Sequence, residues 1–144
     1  MNTAEEKKVN LWLIPTADID HVWKYASTLL QKAIDRNPGE HTTETIYQNL
    51  IDGKYQLWTG YYMGKIIYAG VSRIVTYPTG DSSCELMYLG GTHMQYWLDH
   101  LPIVEKWAQH NGCKKVDIYG REGWYRMLDG YTKKFVVLTK HLGE

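Results

Sequence analysis

The sequence predicts an α/β (α+β) fold built on one mixed sheet, and three observations predict it. Three strand-like runs follow one another in the middle of the chain, the signature of an antiparallel meander. A strand–helix–strand unit comes next, which implies a parallel pair joined by a right-handed crossover. The 144 residues suit one domain with a real core. The expected order is β-α-α-β-β-β-α-β-α-β in a single domain over 1–144, with 1–8 as a polar N-terminal extension.

Each element has a local reason. Val9–Ile14 is a short apolar run closed by Pro15, hence a strand. Thr16 is placed to cap a helix in which Ile19, Val22, Trp23, Ala26, Leu29, Leu30 and Ala33 recur at helical spacing. Asn37-Pro38-Gly39 breaks it. A shorter helix follows Thr42, with Ile46, Leu50 and Ile51 on one face, and Asp52-Gly53 stops it. Tyr55–Met63 and Lys65–Thr76 flank Gly64 as a tight hairpin. Pro78-Thr79-Gly80-Asp81 is a turn, and Cys84–Leu89 is the fourth strand, ended by Gly90-Gly91. Trp97, Leu98, Leu101, Val104, Trp107 and Ala108 mark the third helix, stopped by Asn111-Gly112. Pro102 inside that pattern either kinks the helix or opens it from the first turn. Lys114–Tyr119 is the fifth strand, Glu122–Leu128 a short helix and Tyr131–Leu142 a final strand.

Composition narrows the partners. With 16 basic and 16 acidic residues, no net field draws the protein to nucleic acid or to an anionic membrane. No run approaches the roughly 18 apolar residues of a membrane span, and the polar N-terminus carries no signal-peptide core, so a cytoplasmic protein is expected. Cys84 and Cys113 lie far apart, outside any CxxC, and read as small apolar residues in a reducing compartment. No Walker loop, G-x-S-x-G elbow or H-E-x-x-H occurs, and no histidine pair has metal-ligand spacing, so no metal site is expected. Twelve Tyr and six Trp stand against a single Phe. Such amphipathic rings suit either a small core or a contact surface.

The densest signal is the stretch from Trp107-Ala108 through Gly112-Cys113, Val116, Ile118, Gly120-Arg121, Gly123-Trp124, Arg126 and Leu128 to Gly130-Tyr131. In α/β proteins ligands bind at the carboxyl ends of strands, where the sheet opens. This stretch, with the element order from Val9 to Leu142, resembles the GNAT family of N-acetyltransferases. The local pattern is closest to short GNAT-like proteins encoded by phages and prophages, often beside virion-assembly genes. The resemblance implies a fourth strand splayed from the fifth, with acetyl-CoA in the gap and an amine as acceptor. It further implies that backbone N–H groups of the following loop and helix start hold the pyrophosphate. Here that loop is Leu89-Gly90-Gly91-Thr92-His93-Met94, a degenerate form lacking the family's spaced glycines and leading Gln or Arg.

Tyr88, Leu89, Gly90, Gly91 and Thr92, with Arg121, Trp124 and Arg126 from the short helix, are therefore the cofactor-binding candidates. An Arg–Trp–Arg group can grip phosphate, stack on a ring or anchor a partner protein. Glu85, the only carboxylate in an apolar strand, stands where the family often has a general base, and His93 at the mouth of the gap is the alternative. Tyr125 is the nearest candidate for the acid that protonates the departing thiolate, one residue from the family position, which Arg126 occupies. Two functions stay open. One is an acyl-CoA-dependent N-acyltransferase. The other is a non-catalytic protein of the same fold, serving as a phage virion or assembly component or binding a host factor.

Overall fold

A computed structural model describes residues 8–120 and 122–143, with the side chains of Met94, Glu122 and Tyr125 also outside the description. Pro15 ends β1 (Asn10–Leu13), and its carbonyl accepts from the Asp18 N–H at 2.8 Å. That bond winds Thr16–Asp18 into a 3₁₀ turn, so Thr16 does not cap the helix; α1 (Ile19–Asp35) starts one turn later. α2 (Thr43–Ile51) carries a capping box. Thr42 Oγ1 accepts from the Thr45 N–H at 3.2 Å, and Thr45 Oγ1 from the Thr42 N–H at 2.9 Å.

β2 (Tyr55–Tyr62), β3 (Lys65–Thr76) and β4 (Ser82–Gly91) form the expected antiparallel meander, and β1 pairs with β2 on its outer edge. α3 (Met94–His110) then crosses back to β5 (Cys113–Ile118), which lies parallel to β4. The sheet order is β1-β2-β3-β4-β5. α3 starts more than two turns before Pro102, so the helix runs through the proline rather than opening at it.

Strand alternation splits the core into two layers. Leu57, Ala69, Val71 and Met87 pack under Ala26, Leu30, Ile46 and Leu50 of α1 and α2. Trp58, Tyr68, Leu86 and Leu89 pack against Trp97, Leu101 and Val104 of α3. Trp58, Trp97 and Tyr68 are fully buried, so the amphipathic aromatics do build the core. Their polar edges are partly satisfied: Trp58 Nε1 donates to Ser72 Oγ at 2.9 Å. Cys84, Cys113 and Ala108 form a small third cluster, where burial pushes the Cys84 thiol up to about 12. A thiol so placed is not a nucleophile at neutral pH. No described helix is long and apolar enough to cross a membrane.

The C-terminal elements depart from expectation. Glu122–Met127 is a 3₁₀ helix, because six residues holding Gly123 make a poor α-helix. Beyond Tyr131 no strand forms among the described residues, and Phe135, Val136, Val137 and Leu138 stand 64–90% exposed. Tyr131 is anchored, its hydroxyl donating to Glu105 Oε2 at 2.7 Å. From that anchor the chain brings Lys134 beside Lys115 of β5, and the neighbouring ammonium lowers the Lys134 pKa. Asp117 of the same strand pulls the Lys134 pKa the other way.

His100 on α3 ties the N-terminal strand to the sheet. Its Nδ1 bonds the Tyr68 hydroxyl, and its Nε2 lies 3.2 Å from the Val9 carbonyl. The neutral ring satisfies both, accepting from the hydroxyl and donating to the carbonyl. Burial lowers the His100 pKa below its ordinary 6.5, against the opposing pull of the Val9 carbonyl. A base depressed on folding takes up its proton more readily in the unfolded chain. Its stabilising share is therefore present above pH 6.5 and declines as the pH falls toward the folded value. The melting temperature is expected to drop between neutral and mildly acid pH, and His100→Gln should flatten that slope. An unchanged slope in the variant would place the acid sensitivity elsewhere.

Candidate active site

The sheet opens between β4 and β5. Their parallel ladder runs from Ser82↔Cys113 to Leu86↔Ile118 and closes with the Tyr119 N–H donating to the Leu86 carbonyl at 3.0 Å. β4 then continues to Gly91, paired with β3 alone among the described residues. The turning point is marked by a bulge: Val71 faces Tyr88 and Ser72 faces Leu86, so Met87 is the extra residue. A bulge bends its strand and raises the local twist, which carries the end of β4 away from β5.

Glu85 sits at this fork. It is 5% exposed, directly opposite Arg73 across the β3–β4 pair. Arg73 lies two residues from Val71 and opposite Tyr55, so both charges occupy the α1/α2 face. Arg73 Nε donates to Glu85 Oε1 at 2.8 Å, and the Tyr119 hydroxyl donates to Glu85 Oε2 at 2.7 Å. Burial first, and the Glu85 carboxylate second, push the Tyr119 hydroxyl up to about 12, so it stays a donor at physiological pH. Each carboxylate oxygen keeps a further lone pair for a ligand.

The network extends along the same face. Arg73 stands opposite Tyr55 across the β2–β3 pair, and the Tyr55 hydroxyl lies 3.1 Å from His41 Nε2. The His41 ring meets Tyr55 and Tyr88 edge-on at 5.7 and 6.0 Å. Burial, then the Glu40 carboxylate, raises the Tyr88 pKa. His41, Tyr55 and Tyr88 thus make an aromatic, hydrogen-bonding wall beside the Glu85–Arg73 pair, with Tyr119 half-exposed across the fork.

The other candidates divide. Tyr88 points to this wall, whereas Leu89 is buried against the α3 layer. Gly90 lies under α1: a Cβ there would meet the Leu29 carbonyl oxygen at 2.1 Å. A Cβ on Gly91 would meet the Ile67 carbonyl oxygen at 2.4 Å. These glycines admit neighbouring backbone, and the Thr92 N–H is engaged by the Ile67 carbonyl at 2.8 Å. His93, left-handed at φ 57°, precedes α3 without capping it by its side chain. With Leu29, Tyr62, Met63, Lys65 and Thr92 it lines a cleft of about 430 Å³ on the β3 side of the sheet end. Six strand residues, roughly 20 Å, separate Gly91 from Glu85, so His93 cannot share a proton with Glu85. Trp124 is half-buried against the α3 layer and close over Gly120, and Arg126 is exposed. Arg121 and the Tyr125 side chain lie outside the described residues.

Sequence reasoning missed Arg73, Tyr119, Tyr55 and His41. Arg73 had a signal: it is the lone charge in the Tyr68–Val75 stretch, as Glu85 is in β4, and the Gly80 turn brings those stretches together.

No family model matches the sequence, and no curated protein matches it. Solved structures do match in shape. An aminoglycoside acetyltransferase from an uncultured soil metagenomic sample superposes at TM-score 0.71 and 11% identity, over 94% of this chain and 97% of the other. A GNAT family acetyltransferase of Staphylococcus aureus gives 0.62 and 15%, over 93% and 98%. Glucosamine-6-phosphate N-acetyltransferase from Arabidopsis thaliana gives 0.61 and 12%, over 94% and 99%. At such identities the likeness speaks for architecture: a mixed sheet opening between its fourth and fifth strands, with helices on both faces, is the fold of the GNAT acetyltransferases.

Proposed function

We propose that the protein is an N-acyltransferase that takes its acyl group from acetyl-CoA at the β4–β5 fork. The observation that carries this reading is the parting of the two strands after Leu86 and Ile118 with a buried carboxylate, Glu85, at the fork. The residues present fit the cofactor through their backbone. β4 from Met87 to Gly91 has no strand partner on the β5 side among the described residues, and α3, 17 residues long, starts at Met94 with no side-chain cap at His93. The strand edge suits amide groups of an extended ligand, and the helix start suits its phosphates. Arg126, which is exposed, and Arg121 are assigned to the phosphates by sequence position. Bound acetyl-CoA supplies an activated acyl carbonyl.

An amine acceptor would enter over the α1/α2 face, along the wall of His41, Tyr55 and Tyr88. An amine nitrogen attacking the acyl carbonyl there would form the C–N bond as the C–S bond breaks, and CoA would leave as its thiolate, which takes a proton from solvent. Glu85 takes the proton released by the nitrogen, directly or through one water. Arg73 and Tyr119 hold the carboxylate in place for that transfer.

Binding is the direct test. With acetyl-CoA at one hundred times its dissociation constant, the protein should gain about 2.7 kcal/mol of stability. A melting curve unmoved by millimolar acetyl-CoA would end the reading. The alternative is a non-catalytic protein of this fold, with a partner among phage structural or host proteins. Three observations favour it: both oxygens of Glu85 are engaged, both glycines of the β4–α3 loop serve packing, and the Thr92 N–H is spent on β3. Acetyl-CoA binding without acylation of any amine offered would favour it too.

A further inference from the structure

Arg73 has more to give than Glu85 uses. A guanidinium carries five N–H donors, and Glu85 takes the one on Nε. Tyr55 and Tyr119 are the other polar groups close enough to act on Arg73 as hydrogen-bond partners, and Tyr88 feels its charge. With one hydrogen given to each of Tyr55 and Tyr119, two of the five remain. The Arg73 side chain is 38% exposed, so its outer edge reaches solvent, and among the described residues no second carboxylate bridges to it.

Glu85 likewise keeps a lone pair on each oxygen beside its two donors. Anion and cation thus stand in contact at the fork, each with capacity left over. A ligand that uses both must carry an ammonium and an anion as close together as they are. Amine and carboxylate on one carbon meet that demand. A peptide N-terminus has the amine without the anion, a peptide C-terminus has the reverse, and a diamine has no anion. A carboxylate is also the anion whose two oxygens match the edge of a guanidinium. Beside the pair, the His41 ring meets Tyr55 and Tyr88 edge-on, an arrangement that suits a further ring. The Glu40 carboxylate acts on Tyr88, so an acidic side chain would be repelled there.

We propose that the amine acceptor is a free α-amino acid with an aromatic side chain, its carboxylate on Arg73 and its nitrogen at Glu85. The inference rests on the acyltransferase reading and adds the acceptor to it. Of the two protons the α-ammonium loses, solvent takes the first before attack and Glu85 takes the second as the C–N bond forms. The products are the N-acetyl amino acid and CoA. Arg73 thereby has two roles: it positions Glu85, and it reads the carboxylate.

Three acceptors of one shape separate those roles: L-phenylalanine, its amide and 2-phenylethylamine. With acetyl-CoA, kcat/KM for L-phenylalanine should exceed that for the other two by about 10–10²-fold, the span of a hydrogen bond between charged groups. Arg73→Gln should bring that ratio close to one. The ratio cancels whatever all three reactions lose through a displaced Glu85, so a residue that only positions the base would leave it unchanged. Titration calorimetry of L-phenylalanine into the CoA-loaded protein makes the comparison without turnover, and Arg73→Gln should abolish the binding. Equal rates for the three acceptors overturn the proposal and leave the acyltransferase standing. A ratio that survives Arg73→Gln does the same, as does L-glutamate turned over faster than L-phenylalanine. Acylation of no amine at all, or no binding of acetyl-CoA, ends both readings.

Discussion

The Glu85→Gln substitution is expected to cut amine acylation by about 10²–10⁴-fold while leaving acetyl-CoA binding in place. The exchange keeps the shape of the side chain and the hydrogen bonds its carbonyl oxygen can accept, and it removes the proton acceptor. Its cost in stability should be small, because the Arg73 side chain is 38% exposed and regains water when the ion pair is lost. Steady-state kinetics with a panel of primary amines, beside acetyl-CoA titration of both proteins, gives the answer. Tyr119→Phe completes the test, since it deletes the donor to Oε2 and leaves the carboxylate. A smaller loss than in Glu85→Gln is expected from a residue that only positions the base. Full activity in Glu85→Gln would remove it from the chemistry. Loss of acetyl-CoA binding together with activity would mean that the Arg73–Glu85–Tyr119 network serves to hold the fork open.

The Gly90→Ala substitution is expected to cost about 3 kcal/mol or more, the upper range for overpacking a closed interior. The new methyl would stand 2.1 Å from the Leu29 carbonyl oxygen and 3.4 Å from the Leu30 Cα. Both neighbours are helix backbone, so no side-chain rotation relieves the contact. α1 must lift from the end of β4, and Ala26, Leu30 and Ile34 lift with it. Gly123→Ala is the control, because a Cβ there meets nothing within 4 Å. It should change stability by no more than about 0.5 kcal/mol. Urea denaturation of the three proteins, compared by midpoint at constant slope, checks both values. A near-neutral Gly90→Ala would show that α1 is not seated on β4, and the wall over Glu85 would lose its support.

These two positions show how differently the sequence speaks. Glu85 was conspicuous as a lone carboxylate in an apolar strand. Arg73 was a lone charge too, but nothing local joined it or Tyr119 to Glu85, because they stand 12 and 34 positions away. Gly90 and Gly91 read as a phosphate-loop remnant, whereas their missing side chains make room for α1 and β3. A glycine announces only that a side chain is excluded. Whether a ligand or another stretch of backbone fills the space depends on what the fold brings there. His93, the alternative to Glu85 as base in the sequence reading, lies a strand length from it, beside the cleft on the β3 side.

The element order through β5 followed from the sequence alone. Helical and strand periodicities, with Pro15, Gly53, Gly64, Gly80 and Gly112 between them, are short-range signals that need no knowledge of the rest of the chain. The mixed sheet followed too, since three strands in succession and one crossover leave few topologies. Only the tertiary structure decided where β4 and β5 part, what grips Glu85, and that residues 131–142 lie outside the sheet. Each of these depends on strand register and on which charges meet across it, and register is set by the packing of distant segments. Val136 and Val137 have every local mark of a strand, yet a strand exists only where an edge accepts it, and among the described residues they pair with none.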